Sequence, residues 1–465
     1  MFARVLVMLN HGPRARAPRC VTGLCVRSAL LGGLFFLAAD PPELAGAEAT
    51  KPTRPRTKTK PVTPLRPTPT GAAKPPAPTE AASPTMTNVA RAPVAPGPPA
   101  SRTASAPAVP VVTKVAAAYA NLDYQPREKA EYPGNPRREV RGLYVTLHTA
   151  GSSRALEAIL EVADQTAINA LVIDVKDDTG LLLHRSAAGA RYNPKAVADA
   201  PVRDLAAYVE RLRKRGVYTI ARIVTFKDPI YAAAHPERAI IVRATGKLFR
   251  SQDKLAWGSP YDPEYRAYNL AVAREAAQAG FNEVQFDYIR FPEVADDSLV
   301  DYRNPGRQAK AQAVQSFLLE ARRLLTPLNV YVSADVFGLV CAARDDMRIG
   351  QYWEAVSSAV DYISPMAYPS HYAPGSYGLA VPDLHPYDLM SRATRDALAR
   401  NKNIATPARV RPWIQGFTAR WLPKYRPYGV PEIRAQIQAL SDQGIRSYLV
   451  WNPGNRYRDQ MAAFR

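Results

Sequence analysis

Cysteine is scarce in this chain, with three in 465 residues. Cys20 and Cys25 fall in a basic N-terminal leader, which leaves Cys341 alone downstream and excludes an intramolecular disulfide there. A large folded core makes such a staple unnecessary. Histidine is also sparse, six in all, and scattered, with no CxxC pair and no HExxH, so a structural zinc site is not expected. No glycine-rich loop follows a strand in the manner of a P-loop or dinucleotide fingerprint, so no nucleotide cofactor, and no other cofactor, is expected. The apolar run Ala29–Ala39 is short for a membrane span.

Proline and positive charge are abundant, with 43 prolines and a formal net charge of +20. Arg14, Arg16, Arg19 and Arg27 precede the apolar run, and Ala45, Gly46 and Ala47 supply small residues of the A-x-A type. Residues 1–47 therefore read as a signal peptide cleaved after Ala47, with an uncleaved anchor or a mis-assigned start codon as the alternatives. Either way, the remainder is expected to be exported, to the periplasm, the cell envelope or the medium. Residues 48–115 are Pro, Ala, Thr and Lys or Arg with no helical or strand period, the composition of a disordered, partly polyproline linker. This linker carries about +8 and the leader about +3, so the excess left for the rest is about +9. That excess is spread without a basic helix or an aromatic-basic signature, which argues against a nucleic-acid partner. A basic tether suits an anionic cell envelope.

After a lead-in over 116–139, residues 140–465 alternate strand-like and helical runs, the pattern of parallel α/β architecture. Strands are expected at Val140–Thr146, Ala170–Val175, Tyr218–Val224, Glu283–Asp287, Tyr331–Asp335, Tyr362–Pro365, Val410–Gly416 and Ser447–Trp451. Helices are expected at Ser153–Thr166, Val202–Arg215, Pro263–Ala279, Arg307–Leu325, Arg348–Ala359, Pro386–Asn401 and Pro431–Gln443. Eight strands with intervening helices make a (β/α)8 TIM barrel, whose functional groups stand at the carboxyl ends of the strands.

The run FNEVQFDYIRFP, Phe281 to Pro292, is the most informative. At a period of two, Gln285 and Asp287 share one side and Val284, Phe286 and Tyr288 the other. An ionised carboxylate does not stay among apolar neighbours without partners, which puts Asp287 at a strand's wet end. In YVSADVFG, Ser333 and Asp335 share a face in the same way. Adjacent strands lie about 4.8 Å apart, which favours the separation of about 5–5.5 Å used in retaining glycoside hydrolysis over the roughly 6.5–9.5 Å of inversion. Repulsion and burial raise one pKa of such a pair and so supply a protonated acid.

Asp287, Asp335 and Asp174 are thus the candidate catalytic residues. Each has a structural alternative: Asp287 capping a helix or pairing with an arginine such as Arg290, Asp335 likewise, and Asp174 pairing with Lys176 or Arg222. Candidate substrate contacts are Tyr144, Lys176, Arg222, Gln285, Arg290, Tyr368, His371, Trp413, Gln415, Trp451 and Asn452, since aromatic faces beside amides and charges suit sugar rings. Ordinary core packing is the alternative for the tryptophans. A metal-dependent hydrolase, with Asp174, Asp177 and Asp287 on Mg²⁺ or Ca²⁺, matches no known loop motif, and no metal is expected.

VRGLYVT, ALVIDVKDDTG, ARIVTFKDP, EVQFDYIRFP, VSADVFG, DYISPMAYPSHY and SYLVWNPGN together resemble a bacterial family of glycoside hydrolase barrels long known only as a domain of unknown function. It is distantly similar to the α-amylase type of TIM barrel. The resemblance spans roughly Val140 to Arg465 and implies a TIM barrel that hydrolyses carbohydrate. Amylase-type barrels place an Asp nucleophile after the fourth strand, a Glu acid/base after the fifth and a stabilising Asp after the seventh. Asp287 matches the first position. The fifth strand offers Asp335 instead and the seventh Gln415, leaving Asp174 as a candidate for the third role. The expected function is an exported glycosidase acting on an envelope or extracellular polysaccharide. The alternative is a catalytically inactive barrel that binds glycan or protein in the envelope.

Overall fold

The computed structural model describes residues 115–465 apart from Ala130. The signal peptide and the linker, save its last residue Val115, lie outside the described residues. Eight parallel strands close into a barrel with helices around it. They are β1 (Arg141–Val145), β2 (Ala170–Lys176), β3 (Tyr218–Val224), β4 (Glu283–Asp287), β5 (Tyr331–Phe337), β6 (Tyr362–Met366), β7 and β8 (Tyr448–Trp451). β7 comes in two pieces, Arg409–Val410 and Trp413–Gln415, separated at Pro412, which has no amide to give to a ladder. Its second piece pairs with β8 and, through Trp413, with Met366 of β6, and β8 pairs with β1, which completes the ring.

The strands are buried on both sides, and the alternation of side chains sorts them into two cores. Leu143, Leu171, Ile173, Ile223, Val284, Phe286, Val332, Val336, Ile363 and Val450 face the helices. Tyr144, Val172, Tyr218, Ile220, Tyr331, Tyr362, Trp413 and Leu449 belong to the cluster inside the barrel. The helical layer is α1 (Ser153–Asp164), α2 (Leu205–Lys214), α3 (Pro263–Gln278), α4 (Lys310–Leu325), α5 (Trp353–Ala359), α6 (Pro386–Asn401) and α7 (Val430–Ser441). A 3₁₀ segment, Arg458–Phe464, follows β8. Local chemistry sets where several helices begin: Ser152, Asp204 and Asp262 accept hydrogen bonds from amides in the first turns of α1, α2 and α3, and Pro263 occupies the first turn of α3.

The lead-in closes the barrel at the amino ends of its strands. Asn135 Nδ2 donates to the carbonyls of Asn282 and Asn329, the Tyr331 hydroxyl donates to the Asn135 carbonyl, and Arg137 pairs with Asp361 at 3.2 Å. The lead-in thus covers that end of the barrel. A short antiparallel ribbon, Ile241–Val242 with Val300–Asp301, lies in the loops after β3 and β4. Among the described residues no helix is long and apolar enough to cross a membrane.

Candidate active site

The interior side chains form two polar tiers. In the lower one, Glu283 at the start of β4 takes the Arg411 guanidinium on both oxygens, with Nη1 donating at 3.0 Å, and accepts further bonds from the hydroxyls of Tyr218 (3.1 Å) and Ser333 (2.5 Å). Arg411 lies over the Tyr362 ring at 4.4 Å. Glu283 and Arg411 are fully buried. Neither is singled out by the sequence patterns, although the period of two already puts Glu283 on the face of Gln285 and Asp287.

The upper tier is organised by Arg222 of β3. Register alone makes it central, because it stands beside Asp174 of β2 and beside Gln285 of β4. Nη1 donates to Asp174 Oδ1 at 2.5 Å, while Nε and Nη2 both donate to Asp287 Oδ2 at 3.0 and 2.5 Å. The guanidinium also lies over the rings of Tyr144 (5.4 Å) and Trp451 (5.3 Å). Burial works against its charge, but Asp174 and Asp287 outweigh burial and raise its pKa. Asp174 receives the Tyr144 hydroxyl on Oδ2 at 2.5 Å. Burial pushes Asp174 up to about 7, against the pull of Arg222 and Tyr144.

Asp287 Oδ1 accepts the amide of Tyr288 at 2.6 Å. Tyr288 holds a left-handed backbone, φ 47°, which is costly for a bulky residue and brings the chain sharply out of the strand at this carboxylate. Asp335 lies on the next strand, with β4 and β5 in register from Glu283↔Tyr331 to Phe286↔Ala334, one step before the two aspartates. Its Oδ1 accepts the Trp413 indole N–H at 2.8 Å, and its buried Oδ2 has no hydrogen-bond partner among the described residues. Burial first, and then the charge of Asp287, hold the Asp335 carboxyl well above its ordinary range, and Trp413, Arg222 and Arg411 pull the other way. Desolvation and the same two aspartates raise the Tyr368 hydroxyl, whose oxygen likewise has no partner among the described residues.

The aromatic candidates gather around these acids. Tyr144 stacks on Trp451 at 4.0 Å and 19°, Trp413 meets Trp451 edge-on at 5.8 Å, and Tyr368 lies 6.4 Å from Trp451. Gln285 reaches Ser364 through Nε2 at 3.4 Å, and its Oε1 has no partner among the described residues. His371 packs against Tyr368 at 5.2 Å, and burial lowers its pKa to about 4.

Four other candidates are placed differently. A register shift between Asp174 and Lys176 turns Lys176 out of the barrel, where it pairs with Asp228 at 2.8 Å and donates to Asn269 of α3. Burial lowers its pKa, with Asp228 opposing. Arg290 is not the partner of Asp287: it donates to the Phe291 carbonyl and spreads over Phe337, Tyr288 and Trp257. Gln415 commits its amide to Ser370, Asp383 and Phe417. Asn452 ties the loop after β8 to the carbonyls of Gly416 and Arg456. Among the described residues no group of three or more His, Cys, Asp or Glu is arranged to hold a metal ion. A recess of about 380 Å³, lined in part by Leu147, His148, Leu181, Asp199 and Pro201, lies in the loops after β1 and β2 and contains none of the candidate residues.

A buried carboxylate clamped by a guanidinium, next to a carboxyl group with one unpaired oxygen and packed aromatic rings, has the groups needed for acid/base and nucleophilic chemistry. A family model described as "Putative glycosyl hydrolase domain" matches residues 142–457. No curated protein matches the chain. Among solved structures, a hypothetical protein from Ruminiclostridium thermocellum is 33% identical with a TM-score of 0.37, over 42% of this chain and 97% of its own. The glycoside hydrolase domain of PgaB (BpsB) from Bordetella bronchiseptica is 14% identical with a TM-score of 0.48, over 68% and 94%. The spore cortex-lytic enzyme SleL of Bacillus megaterium is 12% identical with a TM-score of 0.41, over 70% and 74%.

Proposed function

We propose, for a chain that belongs to this family of glycosyl hydrolase domains, that it is an exported glycosidase cleaving an envelope or extracellular polysaccharide with Asp287 and Asp335. The observation that carries the reading is the asymmetry of the pair. Asp287 faces a countercharge from Arg222, whereas Asp335 has none bonded to it, a raised pKa and a free Oδ2. In the proposed reaction Asp287 attacks the anomeric carbon while Asp335 gives its proton from Oδ2 to the departing glycosidic oxygen, so one C–O bond forms as the other breaks. Water then attacks the glycosyl ester, Asp335 takes a proton from it, and Asp287 is released. Strands in phase about 4.8 Å apart favour this retaining route.

Asp174 is a positioning residue in this scheme. Both its oxygens are engaged, by Arg222 and Tyr144, so it orients the guanidinium that holds Asp287. Trp413 fixes the acid, Tyr144 is held in its stack with Trp451, and Trp451 and Tyr368 offer apolar surface to the sugar. Export and attachment to an anionic envelope rest on the basic leader and Pro-rich linker of the sequence.

The alternative, an inactive glycan- or protein-binding barrel, draws on one observation: both Asp287 oxygens already accept hydrogen bonds. The two readings separate in a screen of the chain against peptidoglycan and assorted polysaccharides, with Asp287→Asn as control. Release of reducing ends by the parent and not by the variant supports hydrolysis. Binding without release by either protein supports the alternative.

A further inference from the structure

Beyond the acids, a line of rings leads out of the barrel to an exposed loop that no step of the proposed reaction uses. Trp413, bonded to Asp335, meets Trp451 at 5.8 Å, Trp451 meets Tyr368 at 6.4 Å, Tyr368 meets Phe417 at 6.0 Å, and Phe417 stacks on Trp421 at 5.8 Å and 21°. His371 touches the same outer rings, 6.1 Å from Phe417 and 6.2 Å from Trp421. Trp413 and Tyr368 are buried, Trp451 and Phe417 are half-buried, and Trp421 at the outer end is 38% exposed. Trp421 thus has one face on Phe417 and is partly exposed to water, the kind of aromatic surface on which a sugar ring can stack.

The loop that carries Trp421, from Gly416 to Gly429, reads GFTARWLPKYRPYG; Arg420, Lys424 and Arg426 make it cationic, and it contains no acid. Arg426 is committed to Glu432 at 3.8 Å. Arg420 and Lys424, which flank Trp421, are exposed and form no ion pair among the described residues. Tyr425 is as exposed as Trp421. The loop is nevertheless fixed at its base, because Asp383 accepts the Arg426 amide and the Gln415 side chain, and Thr418 accepts the Tyr428 amide.

We infer that this loop is an outer subsite for a negatively charged polysaccharide, with Trp421 stacking on a sugar ring and Arg420 and Lys424 contacting carboxylate groups one or more residues from the cleaved bond. The inference rests on the hydrolytic reading only for the direction in which the glycan runs. It narrows the substrate class to acidic polymers longer than a disaccharide. Neutral polymers gain only the ring stack, and cationic ones are repelled.

The test is binding to immobilised polygalacturonate, alginate and hyaluronate, against neutral mannan and curdlan and cationic chitosan, by surface plasmon resonance. The full chain is used with Asp335→Asn to stop turnover. Its basic linker is the same in every variant, so differences between variants report the loop. Trp421→Ala is expected to weaken binding to at least one of the acidic polymers about tenfold. Arg420→Ala with Lys424→Ala is expected to weaken it about threefold or more and to flatten its salt dependence. Equal thermal midpoints for all variants, whose changed side chains are exposed, show that the fold is intact. Variants within twofold of the parent on all three acidic polymers, or equal affinity for mannan or chitosan, overturn the inference. Loss of binding in Trp421→Ala, with no cleavage by the parent chain, keeps the subsite and removes the hydrolytic reading. Cleavage with no effect of Trp421→Ala does the reverse.

Discussion

The floor and the mouth of this barrel are both ionic, yet their polar atoms are paired to different degrees. At the floor, Glu283 has four donors across its two oxygens, and only Arg411 Nε stays without a partner among the described residues. At the mouth, Asp335 Oδ2, Tyr368 Oη and Gln285 Oε1 all lack one, although they too are buried. A buried polar group without a partner costs free energy, roughly 1–3 kcal/mol each. Under the proposed function, the atoms left open at the mouth are available to the hydroxyls of a bound sugar. The floor is thus the more fully satisfied tier, and the mouth is where the proposed reaction is placed.

Substitutions separate the two tiers. The largest effect expected is on rate: Asp335→Asn lowers cleavage of a susceptible polysaccharide by about 10²–10⁴-fold and leaves the urea midpoint near neutral pH unchanged or higher, since it removes a carboxyl whose ionisation burial and Asp287 oppose. Glu283→Gln does the opposite. It strands the Arg411 charge and destabilises by about 3–5 kcal/mol, read as a fall in the urea midpoint.

The pH dependence sharpens the contrast. Asp174, pushed up to about 7, and Asp335, held higher than usual, keep protons in the folded chain that the unfolded chain, with carboxyls near 3.8, has released. Stability from these groups is accordingly present below about pH 4 and lost as pH rises towards 7 and beyond. Urea midpoints measured from pH 4 to 7.5 should decline less steeply in Asp335→Asn than in the parent. The smallest effect is expected for Gln285→Leu, because the Gln285 side chain makes a single 3.4 Å hydrogen bond. Its kcat/KM should fall about tenfold with stability little changed, the loss of one substrate hydrogen bond.

The sequence already carried most of the architecture. Tyr218–Val224, Glu283–Asp287 and Pro386–Asn401 fall where the structure has them, because apolar periodicity and proline at a helix start act locally. The run Val410–Gly416 reads as one strand but is two, since Pro412 interrupts the ladder. Site geometry was harder to read, because it depends on contacts that no local pattern encodes. Arg222 and Asp287 are 65 positions apart, and Arg411 and Glu283 are 128 apart. Arg290, only three residues from Asp287, is the nearer arginine in sequence but turns to Phe337 instead. One irregular step in β2 was enough to send Lys176 to the helical layer, because strand side chains alternate and a one-residue slip reverses their face. The rings at Phe417 and Trp421 stood in an unpatterned loop and gave no periodic signal.

The most direct test of the paired acids is a proton NMR time course on the polysaccharide that the screen identifies, following the anomeric signal of the first product formed. The parent chain should release a hemiacetal of the same anomeric configuration as the bond it cuts, and Asp335→Asn should give no such signal over the same period. An inverted first product, or an undiminished signal from Asp335→Asn, contradicts the roles assigned to Asp287 and Asp335.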